Sequence, residues 1–285
     1  MNRWIAGYLL AISATLLALA GCNKGGDQAS QKGSQQPVVQ TEPKTDNLGK
    51  AIQAQTVARL KEPRFLSFKE AVTLDPPPED EQRPPDLTCT GKDVAKIYEH
   101  IADDLWDKVT FTDNVGRRIK YQAVLATELG DIHLDLAGNA APNHVRSFVC
   151  LAKAGYYDGM AFYYSIRRTV EDSTVAYIET GCPRGTGEYG SGSIGYWLPP
   201  EFSDKLKHEE GVIGACLHRD PNSAACRFYI TAAAMPQMDG SFTLFGKVTK
   251  GMAIVRTINT RGVQENDRPA RPVAIRSVTI HTALD

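Results

Sequence analysis

The sequence predicts a mainly β domain, a closed or nearly closed barrel capped by two helices, preceded by a helical extension. Three observations carry this. From about residue 110 onward, short apolar-alternating segments recur between turn residues. Only two stretches in that half of the chain, after Pro142 and around Met252, have helical spacing. A third helical stripe, Val94, Ile97, Ile101, Leu105 and Val109 with Trp106 beside it, lies ahead of the strands.

Taken in order, the chain opens with Arg3 and an apolar run from Trp4 to Ala20, closed by Leu19-Ala20-Gly21-Cys22. Such a short run with small residues at its end predicts a secretory signal peptide over 1–21 rather than a membrane span. The Leu-Ala-Gly-Cys sequence resembles the bacterial lipobox, which implies lipidation of Cys22 and an exported protein anchored to a bacterial membrane. Residues 22–60 are rich in Gln, Ser and Gly and predict a flexible tether. Residues 61–119 hold the helical extension and a hairpin lead-in, beginning with broken helical stretches and a proline-acidic linker. Thr90 and Asp93 are placed to form a capping box for the next helix. Its apolar stripe predicts docking on the next domain, with partner binding as the other reading.

Asp113-Asn114-Val115-Gly116 predicts a hairpin turn, and Ile132, Leu134 and Leu136 alternate with His133 and Asp135 as in a half-buried strand. Pro142 suits the first turn of a helix that buries Val145, Phe148, Val149 and Ala152, with Gly155 placed to end it. After a glycine-rich loop come GVIGACLH, CRFYITAA and SFTLFGKV, then the helical GMAIVRTI and a last strand, VAIRSVTIH.

Composition excludes several functions. Lys plus Arg number 32 against 33 Asp plus Glu, a net charge of −1, so nucleic acid is not an expected partner. The loop GTGEYGSG lacks the lysine and hydroxyl residue of a phosphate-binding loop. The six histidines show no metal-ligand spacing, and no Cys-x-x-Cys pair occurs, so neither metal nor cofactor is expected. Export permits disulfides, but without Cys22 the cysteines are an odd set: Cys89, Cys150, Cys182, Cys216 and Cys226.

Residues 120–283 carry motifs that resemble the cyclophilin family of peptidyl-prolyl isomerases, in order and at full length. They are TELGDIHLDL, APNHVRSFVCLAKAGYYDG, GCPRGTGEYGSGSIGYWLPPEF with its Glu201-Phe202 pair, His208 and Gly211, DPNSAACRFYIT, and MDGSFTLFGKV. The resemblance implies a closed eight-stranded antiparallel barrel capped by two helices, and isomerisation of X-Pro bonds in exported proteins. That chemistry needs an apolar pocket for the ring and hydrogen-bond donors that favour the twisted amide over its planar forms.

The same resemblance places the site residues, and here the chain departs from the family. With Phe162 as the strand phenylalanine, the family histidine position holds Tyr163 and the arginine position holds Tyr164. The two family glutamines become Glu179 and Arg227, and an insertion lengthens the segment between Phe162 and Glu179. The expected pocket is Phe162, Ala176, Tyr177, Cys216, Tyr229, Met238 and Phe242. Three readings of the replaced arginine stand: a neutral donor at Tyr164, an arginine displaced to Arg168, or a cation relocated to Arg227 and oriented by Glu179. A structural Arg227–Glu179 ion pair is the bland alternative. The expected function is therefore a membrane-tethered isomerase, weak for lack of the arginine. A non-catalytic proline-peptide-binding module is the alternative, and an envelope scaffold whose helix or tether carries the interaction is a third. The oligomeric state is left open.

Overall fold

The computed structural model of the protein describes residues 66–75, 84–170, 172–188, 192–218, 220–262 and 265–285. The leader, the tether and Cys22 lie outside these residues; the folded body spans Pro63–Asp285.

Eight strands form one antiparallel sheet: β1 Ile119–Thr127, β2 Gly130–Leu136, β3 Tyr164–Val170, β4 Ser173–Thr180, β5 Val212–Ala215, β6 Phe228–Thr231, β7 Leu244–Lys250 and β8 Ile275–Leu284. Their order across the sheet is β3-β4-β6-β5-β7-β2-β1-β8. The expected closure needs one refinement, because β3 and β8 share no ladder. The sheet ends meet instead just before each strand. Ala161 bridges Ala274, Phe162 N donates to Val273 O at 3.0 Å, and Ile275 N donates to Met160 O at 2.7 Å. Sheet edges that would otherwise be open are thereby joined by a few main-chain bonds.

Two helices flank the sheet as the pattern predicts. In Pro142–Lys153 proline takes the first turn, Val145, Phe148, Val149 and Ala152 are buried, and Gly155 comes next at φ +68°. Its N-terminus is capped from a distance: the Glu201 carboxylate accepts from the main-chain N–H groups of Asn143 and His144 at 3.0 and 2.9 Å. A carboxylate there satisfies orphan donors and meets the positive end of the helix dipole. The second helix, Met252–Thr260, buries Val255 and Ile258.

The extension packs on this body, but its helix starts later than the capping-box spacing predicts. Thr90 is spent in a turn, its hydroxyl bonded to Thr88 Oγ1, while Thr88 Oγ1 also accepts from Lys92 N. Asp93 is left to cap, accepting from Lys96 N at 3.1 Å, and the helix runs from Val94 to Glu99. It then widens into a π-helical turn, His100–Leu105. The added residue per turn rotates the apolar phase. Consequently Trp106 is fully buried and Leu105 only half-buried. Trp106 Nε1 donates to Leu66 O, and buried Arg146 donates to the carbonyls of Leu66 and Val109 while lying 5.2 Å from the Trp106 ring. On the other flank Lys92 Nζ fills a cage of carbonyls from Gly155, Tyr156 and Asp158. Phe68, Ala71, Val72, Val94, Ile97, Ile101, Trp106 and Val109 thus share the core of the barrel body.

Candidate active site

The site is organised by register. Tyr164 pairs with Glu179 across β3–β4, and Glu179 with Tyr229 across β4–β6; Ile166, Tyr177 and Thr231 form the next row. Side chains alternate along each strand. Tyr164, Ile166, Tyr177, Glu179, Arg227 and Tyr229 therefore share one face, while Ile178, Phe228 and Ile230 belong to the core behind it.

At the centre of that face is a buried ion pair. Arg227 Nε donates to Glu179 Oε1 at 3.0 Å and Nη2 donates to the same oxygen, with both side chains under 8% exposed (7% and 6%). Tyr163 donates its hydroxyl to that carboxylate at 2.8 Å, and Arg227 Nη1 donates to His218 Nε2 at 2.8 Å. Burial alone would lower the Arg227 pKa, but Glu179 outweighs it and the guanidinium stays charged. Burial and the adjacent Arg227 push the His218 pKa down to about 3, so the ring is neutral and can accept. A Cβ on Gly192 would sit 3.1 Å from Arg227 Cδ and 3.3 Å from His218 Nε2, so the end of the glycine-rich loop lies directly on the pair.

Beside the pair stands an aromatic wall. The Tyr229 ring lies 5.5 Å from Tyr177 and 5.9 Å from Phe242. Its far end rests on β5, where a Cβ at Gly214 would come within 2.2 Å of the Tyr229 hydroxyl. That hydroxyl meets His208 Nε2 at 2.8 Å, and His208 Nδ1 meets Asp239 Oδ1 at 2.9 Å. Burial lowers the His208 pKa against the pull of Asp239, so the ring is neutral at neutral pH. With Nδ1–H donated to the carboxylate, Nε2 must accept, and Tyr229 is the donor. The wall is thus anchored by the chain Asp239–His208–Tyr229.

The site residues expected from sequence fall in distinct places. Glu179, Arg227, Tyr177, Tyr229 and Phe242 come together as described, and Met238 is half-buried on the short 3-10 turn Pro236–Met238. Cys216 is buried next to the pair, its thiol pKa raised by burial and then by Glu179. Phe162 and Ala176 are fully buried core residues rather than exposed pocket walls. Arg168 is turned outward and bound to Asp267, so it does not reach the ion pair. Tyr164 occupies the arginine position with the Arg268 guanidinium 5.0 Å from its ring centroid, and Arg268 Nη2 donates to Thr186 O at 2.9 Å.

Sequence reasoning missed His218, Asp239 and Arg268, and it gave Tyr163 and His208 only as alignment positions. The Tyr163 hydroxyl could be placed only once its detour onto Glu179 was known. Arg268 sits in a loop with no periodic signal, brought in by the barrel's closure.

The fold and site define an antiparallel barrel protein with an aromatic and ionic binding face. The chain belongs to the cyclophilin family: the model of the cyclophilin type peptidyl-prolyl cis-trans isomerase/CLD matches residues 123–280. The chain is 32% identical over 157 residues to peptidyl-prolyl cis-trans isomerase CYP18-1 of Arabidopsis thaliana, covering 55% of this chain and 94% of that one. It is 35% identical over 147 residues to peptidyl-prolyl cis-trans isomerase-like 1 of Rhizopus delemar, covering 52% and 85%. It is 31% identical over 200 residues to the larger CYP71 of Arabidopsis thaliana, covering 70% of this chain but only 30% of that relative's length. A solved cyclophilin type isomerase of Cryptosporidium parvum shares the fold at a TM-score of 0.51 and 24% identity, over 57% of this chain and 98% of the other.

Proposed function

We propose that the protein is a membrane-tethered peptidyl-prolyl cis-trans isomerase of the cyclophilin type that acts on exported proteins and turns over slowly. The observation that carries this is the juxtaposition of the Tyr177–Tyr229–Phe242 wall with a buried cation, Arg227, on one barrel face. Family membership supplies the reaction. A Cryptosporidium parvum relative, 25% identical with a TM-score of 0.50, was solved in the presence of the dipeptide Ala-Pro, which supports a proline peptide as the ligand here.

Slow turnover results from how the cation is held. Rotation about X-Pro must break amide resonance against about 18–20 kcal/mol, and only interactions stronger in the twisted form lower that barrier. The Nε and Nη2 groups of Arg227 are engaged by Glu179 and Nη1 by His218, so its field is largely neutralised before substrate arrives. Tyr164, where the family arginine would stand, offers at most a neutral donor.

Exchange NMR on an Ala-Pro peptide tests the reading. Acceleration is expected at high concentrations of the full chain, and a larger one from the variant carrying Tyr164→Arg, Glu179→Gln and Arg227→Gln together. No acceleration by the wild type would overturn the isomerase. A proline-peptide-binding module is then the second reading, favoured by the neutralised Arg227. It requires that the peptide shift resonances of Tyr177, Tyr229 and Phe242. The tether is tested separately: labelled palmitate should enter the wild type in a bacterial host and not Cys22→Ser, and no label in the wild type would refute the anchor.

A further inference from the structure

Of the five cysteines among the described residues, Cys150, Cys216 and Cys226 are buried in or beside the core, while exposed Cys89 and buried Cys182 face one cavity. That cavity, of about 220 Å³, lies between the extension and the exit of β4 and is lined by Cys89, Cys182, Tyr163, Met160, Arg184 and Gly185 among others. The main chain already joins its two sides. Cys89 N donates to Pro183 O at 2.6 Å, one residue past Cys182, and Gly185 N donates back to Cys182 O at 2.9 Å. The Cys89 side chain leans on this 182–185 turn, since a Cβ on Gly185 would stand 3.1 Å from both Cys89 Cβ and Sγ. Burial raises the Cys89 thiol pKa, and the neighbouring Cys182 raises it further.

We propose that Cys89 and Cys182 are a dithiol pair that closes to a disulfide, stapling the extension to the barrel beneath Tyr163. The main-chain bond between their segments and the shared cavity hold the two cysteines close together, and closure requires their Cα atoms to come within about 7 Å. The oxidant is a disulfide reagent of the glutathione class. Exposed Cys89, as thiolate, attacks one sulfur of the reagent, forming a mixed disulfide and releasing one reagent thiolate. Buried Cys182, as thiolate, then attacks Cys89 Sγ and expels the second. Two protein thiols become one disulfide, one reagent disulfide becomes two thiols, and the two protons pass to the leaving thiolates. The staple closes behind Tyr163, which itself donates to Glu179, so it holds one wall of the ion-pair site.

The full-length protein, folded and treated with oxidised glutathione, would be denatured, alkylated and digested without reductant for mass spectrometry. The expected result is one linked peptide pair, Cys89 with Cys182, with Cys150, Cys216 and Cys226 recovered alkylated. In Cys182→Ser, Cys89 should stop at the glutathione adduct; in Cys226→Ser the link should persist. Recovery of wild-type Cys89 as the alkylated thiol, as a stable glutathione adduct, or linked to another cysteine would overturn the proposal. The test reads covalent linkage alone, so it stands or falls apart from isomerase activity.

Discussion

Replacing Glu179 by Gln removes one charge from the buried pair at nearly constant volume. Arg227 then keeps Tyr163, His218 and the new amide as neutral partners but loses its counter-charge, in a site where both side chains are under 8% exposed (7% and 6%). Breaking a buried pair from one side costs about 3–5 kcal/mol, and the retained acceptor argues for the lower end, about 3 kcal/mol. For a body of this size each kcal/mol moves Tm by about 2–4 °C, so the midpoint should fall by about 6–12 °C. Urea and thermal unfolding of the full chain would measure it. Arg227→Gln in the same background removes the stranded cation and should recover most of the loss. A single-mutant cost below about 1 kcal/mol would be the behaviour of an exposed pair and would refute the buried-pair reading, as would no recovery in the double variant.

His218 binds a proton readily when unfolded and poorly when folded, where its pKa is about 3. The unfolded state therefore holds more protons between the two values, and stability should fall as pH drops from about 6.5 toward 3, by up to about 1.4 kcal/mol per pH unit. Urea midpoints followed against pH should show this slope flattened in His218→Gln; an unchanged slope would show that the His218–Arg227 contact does not hold the ring neutral. Gly214→Ala brings a methyl into the Tyr229 ring, which would lie 2.2 Å from it. It should cost about 1–3 kcal/mol in unfolding and weaken Ala-Pro peptide binding in the same NMR titration. Stability and binding equal to wild type would mean that the wall does not rest on β5.

Much of the fold was legible because its signals are local. Pro142, the apolar positions at 145, 148, 149 and 152, and Gly155 describe a helix whose burial follows its period, and the alternation of 132–136 describes β2. The extension was legible as a docked stripe, but its cap was not, since Thr90 and Asp93 satisfy the pattern equally and only the Thr88–Lys92 turn decides between them. The site was half legible. Alignment identified Glu179 and Arg227, and adjacency came from β4 pairing with β6. Arg168 depended on strand parity alone, and parity does not tell which side chains past Ile166 remain beneath other structure. Phe162 carries family identity and Ala176 stands at a substituted family pocket position, yet both lie in the core, a distinction that needs the depth of each strand in the barrel.

The three departures from the family pattern act as one unit, and this bears on how activity is to be restored. A buried arginine at 227 demands a buried carboxylate, and Glu179, paired with Tyr229 across β4–β6, lies diagonally beside Arg227 on the same face and forms its ion pair. With a guanidinium already there, a second cation at 164 would face the same single carboxylate, while Tyr164 instead accepts Arg268 on its ring face. Tyr164→Arg with only Glu179→Gln would therefore leave cations at 164 and 227 without the Glu179 counter-charge and beside a third, Arg268, and it should unfold more readily than Glu179→Gln alone. Adding Arg227→Gln removes the inner cation and leaves the arginine at 164 as the charged donor beside the aromatic wall. Comparing unfolding midpoints and exchange rates across these three variants separates the two effects. A double variant as stable as the triple would show that the substitutions are independent, and the charge argument for their coupling would fail.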